Sequence, residues 1–258
     1  MFDLFSDFFA CRDNVFTRMD SRVKMIVASC LILAVIFSTQ IIFPLVVSAA
    51  CVSTMIALRI PMKLVIVRLL GPMGIVSALV AVQTFSAPGH SLFSFSLFGW
   101  TLTATREGFA HGALLGSRVI GAVSVILLLG SVTPAHRIFH ALRWFKVPET
   151  WVEIALLIYR YSFTLADQTV DVAEAQKLRL GYSSVRKSIS SMGVLAGTVI
   201  TRSMDQAMRT YEAMTLRGYH GKLIFDPLPK MTGAEITGLI VGAPMVLMSY
   251  VIVEWWSR

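Results

Sequence analysis

Charge is scarce in this chain. Of its 258 residues only 15% are Asp, Glu, Lys or Arg, while 55% are hydrophobic. A soluble domain carries roughly 25% charged residues and needs them to wet its surface. The chain is therefore short of what a wetted surface needs, and an integral membrane protein is the expectation; the composition excludes disorder, collagen and coiled coil. Cysteine is scarce too: Cys11, Cys30 and Cys51 are too few and too scattered for a disulfide framework or a metal knuckle. No Gly-x-x-x-x-Gly-Lys-Ser/Thr phosphate loop is present, since Gly193 and Gly197 lack the following Lys, so the chain is not expected to hydrolyse ATP. Among five histidines, His136 and His140 share a helical face, but no Cys or acid stands near enough in sequence to complete a metal site. His90, His111 and His220 are scattered. Acids are outnumbered 15 to 23 by Lys and Arg, a net charge of +8. Such an excess belongs to nucleic-acid binding, to anionic lipid, or to a cytoplasmic face that retains its cations.

What the chain has is long apolar runs. A spanning helix needs about 20 mostly apolar residues. Met25 to Leu58 is 34 residues without a charge, enough for two short spans, with the turn expected near Pro44. A second uncharged stretch runs from Leu69 to Thr105; its first half reads as a span ended by Ala87-Pro88-Gly89-His90. From Ser91 onward Ser alternates with Leu and Phe, a period of two that predicts a short extended hairpin instead of a span. A fourth span is expected over Ala113 to Val132 and a fifth over Ile236 to Val253. The first sixteen residues, with Phe2, Phe5, Phe8 and Phe9 among Asp3 and Asp7, read as an interfacial helix and not as a signal peptide.

Loop charge sets the expected orientation. Arg12, Arg18, Arg22 and Lys24 precede the first span, and Arg59, Lys63 and Arg68 follow the second, whereas the turn near Pro44 is uncharged. By the positive-inside rule the N-terminus is cytoplasmic, and five spans put Arg258 outside.

Between Thr133 and Lys230 the character changes: 13 Lys and Arg stand against 8 acids, and the longest uncharged run, Ser188 to Thr201, is 14 residues, too short to cross. Trp151, Ile154, Ala155, Ile158, Phe163 and Leu165, then Val185, Ile189, Met192, Ala196 and Val199, recur at three- and four-residue spacing, so two long amphipathic helices are expected. A shorter one spans His136 to Phe145 and stops before Pro148. Acids alternate with the basic residues along these helices, which describes a solvated face and not a nucleic-acid stripe. The expected organisation is residues 1–132 (interfacial segment and four spans), 133–230 (a cytoplasmic helical module) and 231–258 (the last span). The fold class is all-α integral membrane protein.

Inside the module lies an imperfect repeat. Glu174-Ala175-Gln176-Lys177-Leu178-Arg179-Leu180-Gly181-Tyr182 recurs as Glu212-Ala213-Met214-Thr215-Leu216-Arg217-Gly218-Tyr219 with one residue deleted. In each copy a helix is expected to stop at an Arg with a Gly following. A single basic residue in a last turn does no more than complement the helix dipole. Two matched copies suit docking into two equivalent pockets, because a guanidinium is a rigid fork for carboxylates.

The fourth span holds two further candidates. Arg118 is the one charge placed within a span, which marks a functional position unless its side chain snorkels to the outer interface. Gly108, Gly112 and Gly116 repeat every four residues and permit close helix approach, either to a partner membrane subunit or within this chain.

With these motifs in place the chain resembles a known family, the transmembrane T component of energy-coupling factor (ECF) transporters of the cobalt/nickel type. The resemblance covers nearly the whole chain. It rests on Asp20-Ser21-Arg22-Val23-Lys24, on Lys146-Val147-Pro148 with Tyr159-Arg160-Tyr161, and above all on the two Arg-tipped helix ends. Family members often show Ala-Arg-Gly at these ends; here they read Leu-Arg-Leu and Leu-Arg-Gly. The resemblance implies that Arg179 and Arg217, with Leu178, Leu180, Gly181, Leu216 and Gly218, dock one end each into two cytosolic ATP-binding-cassette subunits. It also implies that the spans hold a separate membrane subunit that captures cobalt or nickel, which Gly108, Gly112, Gly116 and Arg118 would contact. The chain itself would bind no cofactor or metal, ATP would sit on the partners, and the protein would lie in a bacterial or archaeal cell membrane. Against this stand a lone secondary transporter or channel, which wants polar residues along a midplane path, a vitamin-type T component, and a polytopic membrane enzyme, for which no catalytic cluster is assembled.

Overall fold

The computed structural model describes residues 19–86, 91–97 and 100–221, with positions 244, 248 and 250. The chain forms two compact units: Met1–Ile138 with Lys230–Arg258, and Phe139–Pro229.

The first unit contains α1 (Ser21–Phe37), α2 (Ile42–Ala57), α3 (Met62–Ser86), a hairpin of β1 (Ser91–Leu97) and β2 (Trp100–Thr105), and α4 (Arg106–Val132). The α3 and α4 helices are long and apolar enough to cross a membrane. Almost nothing on α3 is buried except Val65, and Leu70, Ile75 and Val82 stand exposed. A soluble protein's apolar helix hides such side chains; one that displays them is solvated by lipid. The α1 helix starts at Asp20, whose carboxylate accepts from the Arg22 amide at 2.9 Å and caps the orphaned donors of the first turn.

Pro44 does not make the turn between α1 and α2. That turn is Ser38–Ile41, and Pro44 is buried in the first turn of α2, where its missing N–H is one the helix leaves unbonded anyway. The third and fourth spans also begin upstream of their uncharged cores, α3 taking in Lys63 and Arg68 and α4 starting at Arg106. Charges at a membrane interface do not stop a helix, because the backbone still needs its own hydrogen bonds. Thr105 caps α4, accepting from the Gly108 amide at 3.3 Å.

The hairpin expected from period-two alternation is present: β1 and β2 pair antiparallel, with Phe95 opposite Leu102 and Leu97 opposite Trp100. The interfacial helix of the first sixteen residues lies outside the described residues, as does the Ala87–His90 break. So does most of the fifth span, although Pro244, Met248 and Tyr250 are helical.

Val35, Phe43, Val47, Cys51 and Val125 make the core where α1, α2 and α4 meet. Tyr250 joins it, its ring edge-on to Phe43 at 5.3 Å and its hydroxyl donating to the Phe37 carbonyl at 3.2 Å. The helices approach closely at glycine: a Cβ on Gly121 would lie 3.1 Å from both the Pro44 carbonyl oxygen and Val35.

The second unit consists of α6 (Glu149–Leu178) and α7 (Val185–Leu216), preceded by α5 (Ala135–Trp144), which crosses the unit boundary. Pro148 opens α6, and Lys146 just before it takes a left-handed φ of 60°. Tyr159 stacks edge-on with Phe139 at 5.9 Å and Phe163 at 5.1 Å, and the Arg160 guanidinium lies 5.8 Å from the Tyr161 ring centroid. No residue of α7 is buried.

Candidate functional site

Four helices end in the same way. After α2, α5, α6 and α7 one residue turns left-handed, at Arg59, Lys146, Leu180 and Gly218 respectively. The amide of the next residue then bonds back to a carbonyl five positions earlier: Ile60 to Met55, Val147 to Leu142, Gly181 to Gln176, and Tyr219 to Met214. This closure satisfies carbonyls that the last helical turn leaves open.

At the ends of α6 and α7 it fixes Arg179 and Arg217 as the capping residues, with nearly equal backbone angles (φ −85°, ψ 17° and φ −88°, ψ 8°). Both arginines are exposed, and among the described residues neither guanidinium has a hydrogen bond or ion pair. The leucine before each is also exposed, Leu178 at 86% and Leu216 at 90%. Each end thus presents an apolar knob beside a free fork, at the negative pole of a helix dipole that favours the cation there. The Arg, Leu and Gly positions singled out by the repeat all fall on these two ends.

The glycines do not play the part expected of both. Gly218 is left-handed at φ 86° with open space around it. In the α6 copy the left-handed residue is Leu180 (φ 55°), not Gly181. Gly181 is needed for room: a Cβ there would sit 2.7 Å from Ser191 Oγ and 2.9 Å from the Gln176 carbonyl oxygen. Ser191 Oγ donates to the Gly181 carbonyl at 2.9 Å, Gln176 Nε2 donates to the Ser191 carbonyl at 3.1 Å, and the Tyr182 hydroxyl donates to Gln176 Oε1 at 2.8 Å. Sequence reasoning did not single out Gln176, Tyr182 or Ser191. The one signal was the repeat itself, where Gln176 stands opposite Met214. Met214 has no amide to offer and instead lines a groove of about 450 Å³ between α6 and α7, with Leu157, Tyr161, Tyr211 and Tyr219.

In the first unit, Arg118 lies about three turns into α4 and points at the α1–α2 turn. Its Nε and one terminal nitrogen donate to the Ser38 carbonyl at 3.0 and 2.6 Å. Ser38 is fully buried and is held in turn by its own hydroxyl, which donates to the Gln40 carbonyl at 3.0 Å. Gly108, Gly112 and Gly116 are buried. A Cβ on Gly112 would fall 3.0 Å from Val80 Cα, and one on Gly116 2.8 Å from Val76 Cγ1, so these two positions face α3 of the same chain. His136 and His140 both lie on α5, and among the described residues no three His, Cys, Asp or Glu side chains converge as a metal site would need.

Residues 12–227 match the family model described as cobalt transport protein CbiQ. An uncharacterized protein of Methanocaldococcus jannaschii is 29% identical over 81% of this chain and 79% of its own length. The cobalt transport protein CbiQ of Rhodobacter capsulatus is also 29% identical, over 52% of this chain and 55% of its own. The energy-coupling factor transporter transmembrane protein EcfT of Limosilactobacillus fermentum is 25% identical over 80% of each. Lipid-exposed apolar helices, two matched arginine ends and a family match across most of the sequence converge: the chain belongs to the CbiQ cobalt transport protein family.

Proposed function

We propose that this protein is the energy-coupling transmembrane subunit of an ATP-driven importer for cobalt or nickel ions. It links two cytosolic ATP-binding-cassette subunits to a separate membrane subunit that captures the ion, and it sits in the cell membrane with its N-terminus in the cytoplasm. The observation that carries this reading is the pair of matched helix ends. Each offers a leucine whose burial in a partner's groove is worth roughly 1.5–3 kcal/mol, beside an arginine shaped for a bidentate carboxylate. Arg179 stands just before α7 and Arg217 at its end; 32 residues at ~1.5 Å each hold the two docking points up to about 48 Å apart along one rod. Two docking points at that spacing suit a pair of ATPase subunits side by side. When nucleotide draws that pair together the ends move with it, and α6 and α7 carry the motion away from the ATPases.

The names of two relatives, CbiQ and EcfT, support the same role, and the CbiQ name supports cobalt as the cargo. The test replaces Arg179 and Arg217 by Glu, singly and together. The double variant is expected to insert in the membrane, to purify without the ATPase pair and to lose uptake of radioactive cobalt and nickel. Normal uptake with the ATPases still bound overturns the proposal. Uptake of a vitamin in place of either metal would leave the coupling role standing and correct the cargo.

A further inference from the structure

The two arginine ends are alike at the surface and unlike behind it. Behind the α6 end, two hydrogen bonds reach α7, from Gln176 to Ser191 and from Ser191 to Gly181, and Tyr182 holds the Gln176 amide in place. Gly181 leaves the room that the Ser191 hydroxyl occupies, since a Cβ there would sit 2.7 Å from Ser191 Oγ. Behind the α7 end lies the open groove. Its polar side chains bond along their own helices: Ser162 to the Tyr159 carbonyl, Ser203 to Ile200 and Thr210 to Gln206. No hydrogen bond among the described residues crosses that groove, so α7 can lean toward α6 there without breaking one. Between the tied first turns of α7 and its free last turns stand Gly193 and Gly197, mid-helix, each with nothing within 4 Å of where a Cβ would be. Glycine inside a helix weakens it locally and is a common site of bending.

From this geometry we infer that the two ends are mechanically unequal. Gln176, Tyr182 and Ser191 are positioning residues that make Arg179 move as one piece with the start of α7. The last turns of α7, carrying Arg217, swing about Gly193 and Gly197 into the groove. The α6 end is the fulcrum and the α7 end the arm. The inference rests on both ends docking to ATPase subunits, and it adds which of the two changes place within the chain.

The experiment uses the full chain with its three cysteines replaced by alanine and one spin label, at Ser183→Cys beside the α6 end or at His220→Cys beside the α7 end. The first label is expected to be held and the second mobile. Ser191→Ala should loosen the first by roughly two- to tenfold, the weight of one ordinary hydrogen bond, and leave the second alone. Gly193→Ala with Gly197→Ala should slow the second label, and in the assembled transporter should lower metal uptake severalfold with the ATPases still bound and hydrolysing. Equal mobility at the two labels, or normal uptake by the double alanine variant, overturns the inference. The labels report on the free subunit, so they decide the asymmetry even if the Arg→Glu variants show that the ends do not dock.

Discussion

The contact between α3 and α4 makes a quantitative prediction. A Cβ added at Gly112 would lie 3.0 Å from Val80 Cα, 3.3 Å from the Val80 carbonyl oxygen and 3.3 Å from Gln83 Cβ. Two of these are backbone atoms, which no rotamer change can move aside. Carbon atoms rest about 3.5–4.0 Å apart, so Gly112→Ala must push the helices apart by several tenths of an ångström and loosen the packing on either side. Overpacking of this kind typically costs about 1–3 kcal/mol. Gly130, in the last turn of the same helix, has nothing within 4 Å of its Cβ position, so alanine there meets no clash and gains at most about 0.5–1 kcal/mol of helix propensity. Both substitutions remove a helical glycine, so that gain cancels and the predicted gap between the two variants is the overpacking cost, about 1–3 kcal/mol. Reversible unfolding of the purified chain in mixed micelles, followed by tryptophan fluorescence, measures it. The reasoning fails if Gly112→Ala unfolds like the parent chain. Should that variant be stable alone yet lose its membrane partner, the glycine stripe belongs to the partner interface and not to α3.

Two other expectations follow from single positions. Arg118→Lys keeps the charge in α4 but loses the fork that meets the Ser38 carbonyl; a hydrogen bond from a charged group is worth about 1.5–3 kcal/mol, so the loss of one should lower stability by that order in the same assay. Leu180 holds a left-handed φ of 55° while 69% exposed, so Leu180→Gly relieves the backbone at little loss of burial. The α6 end should gain up to about 1 kcal/mol, read as slower hydrogen exchange of the Gly181 amide, and unchanged exchange would refute the strain.

The spans formed by α3 and α4 were legible because a charge in hydrocarbon is expensive, so uncharged runs mark them whatever the details of packing. The hairpin was legible for a similar reason, as alternation of Ser with Leu and Phe has no helical solution. Helix boundaries were not: Lys63, Arg68 and Arg106 look like loop charges, yet the helices continue through them. Pro44 looks like a turn and is a first-turn residue. The arginine ends were visible as a repeat, since a one-residue gap does not disguise it. What lies behind them was invisible. The Gln176–Ser191 bond joins residues fifteen apart that only the approach of α6 to α7 brings together. Gly181 drew the left-handed role to itself, and only the backbone angles assign it to Leu180.

The first pair of helices is short. At ~1.5 Å per residue the 17 residues of α1 and the 16 of α2 span only about 25 Å, against about 40 Å for the 27 of α4. Arg118 ties their turn to a level some twelve residues below the start of α4. Against a hydrocarbon layer about 30 Å thick that pair is short, a mismatch that is met by local thinning, by snorkelling flanks or by association with another membrane protein. A neighbouring membrane protein with short helices would meet the least mismatch in length beside α1 and α2.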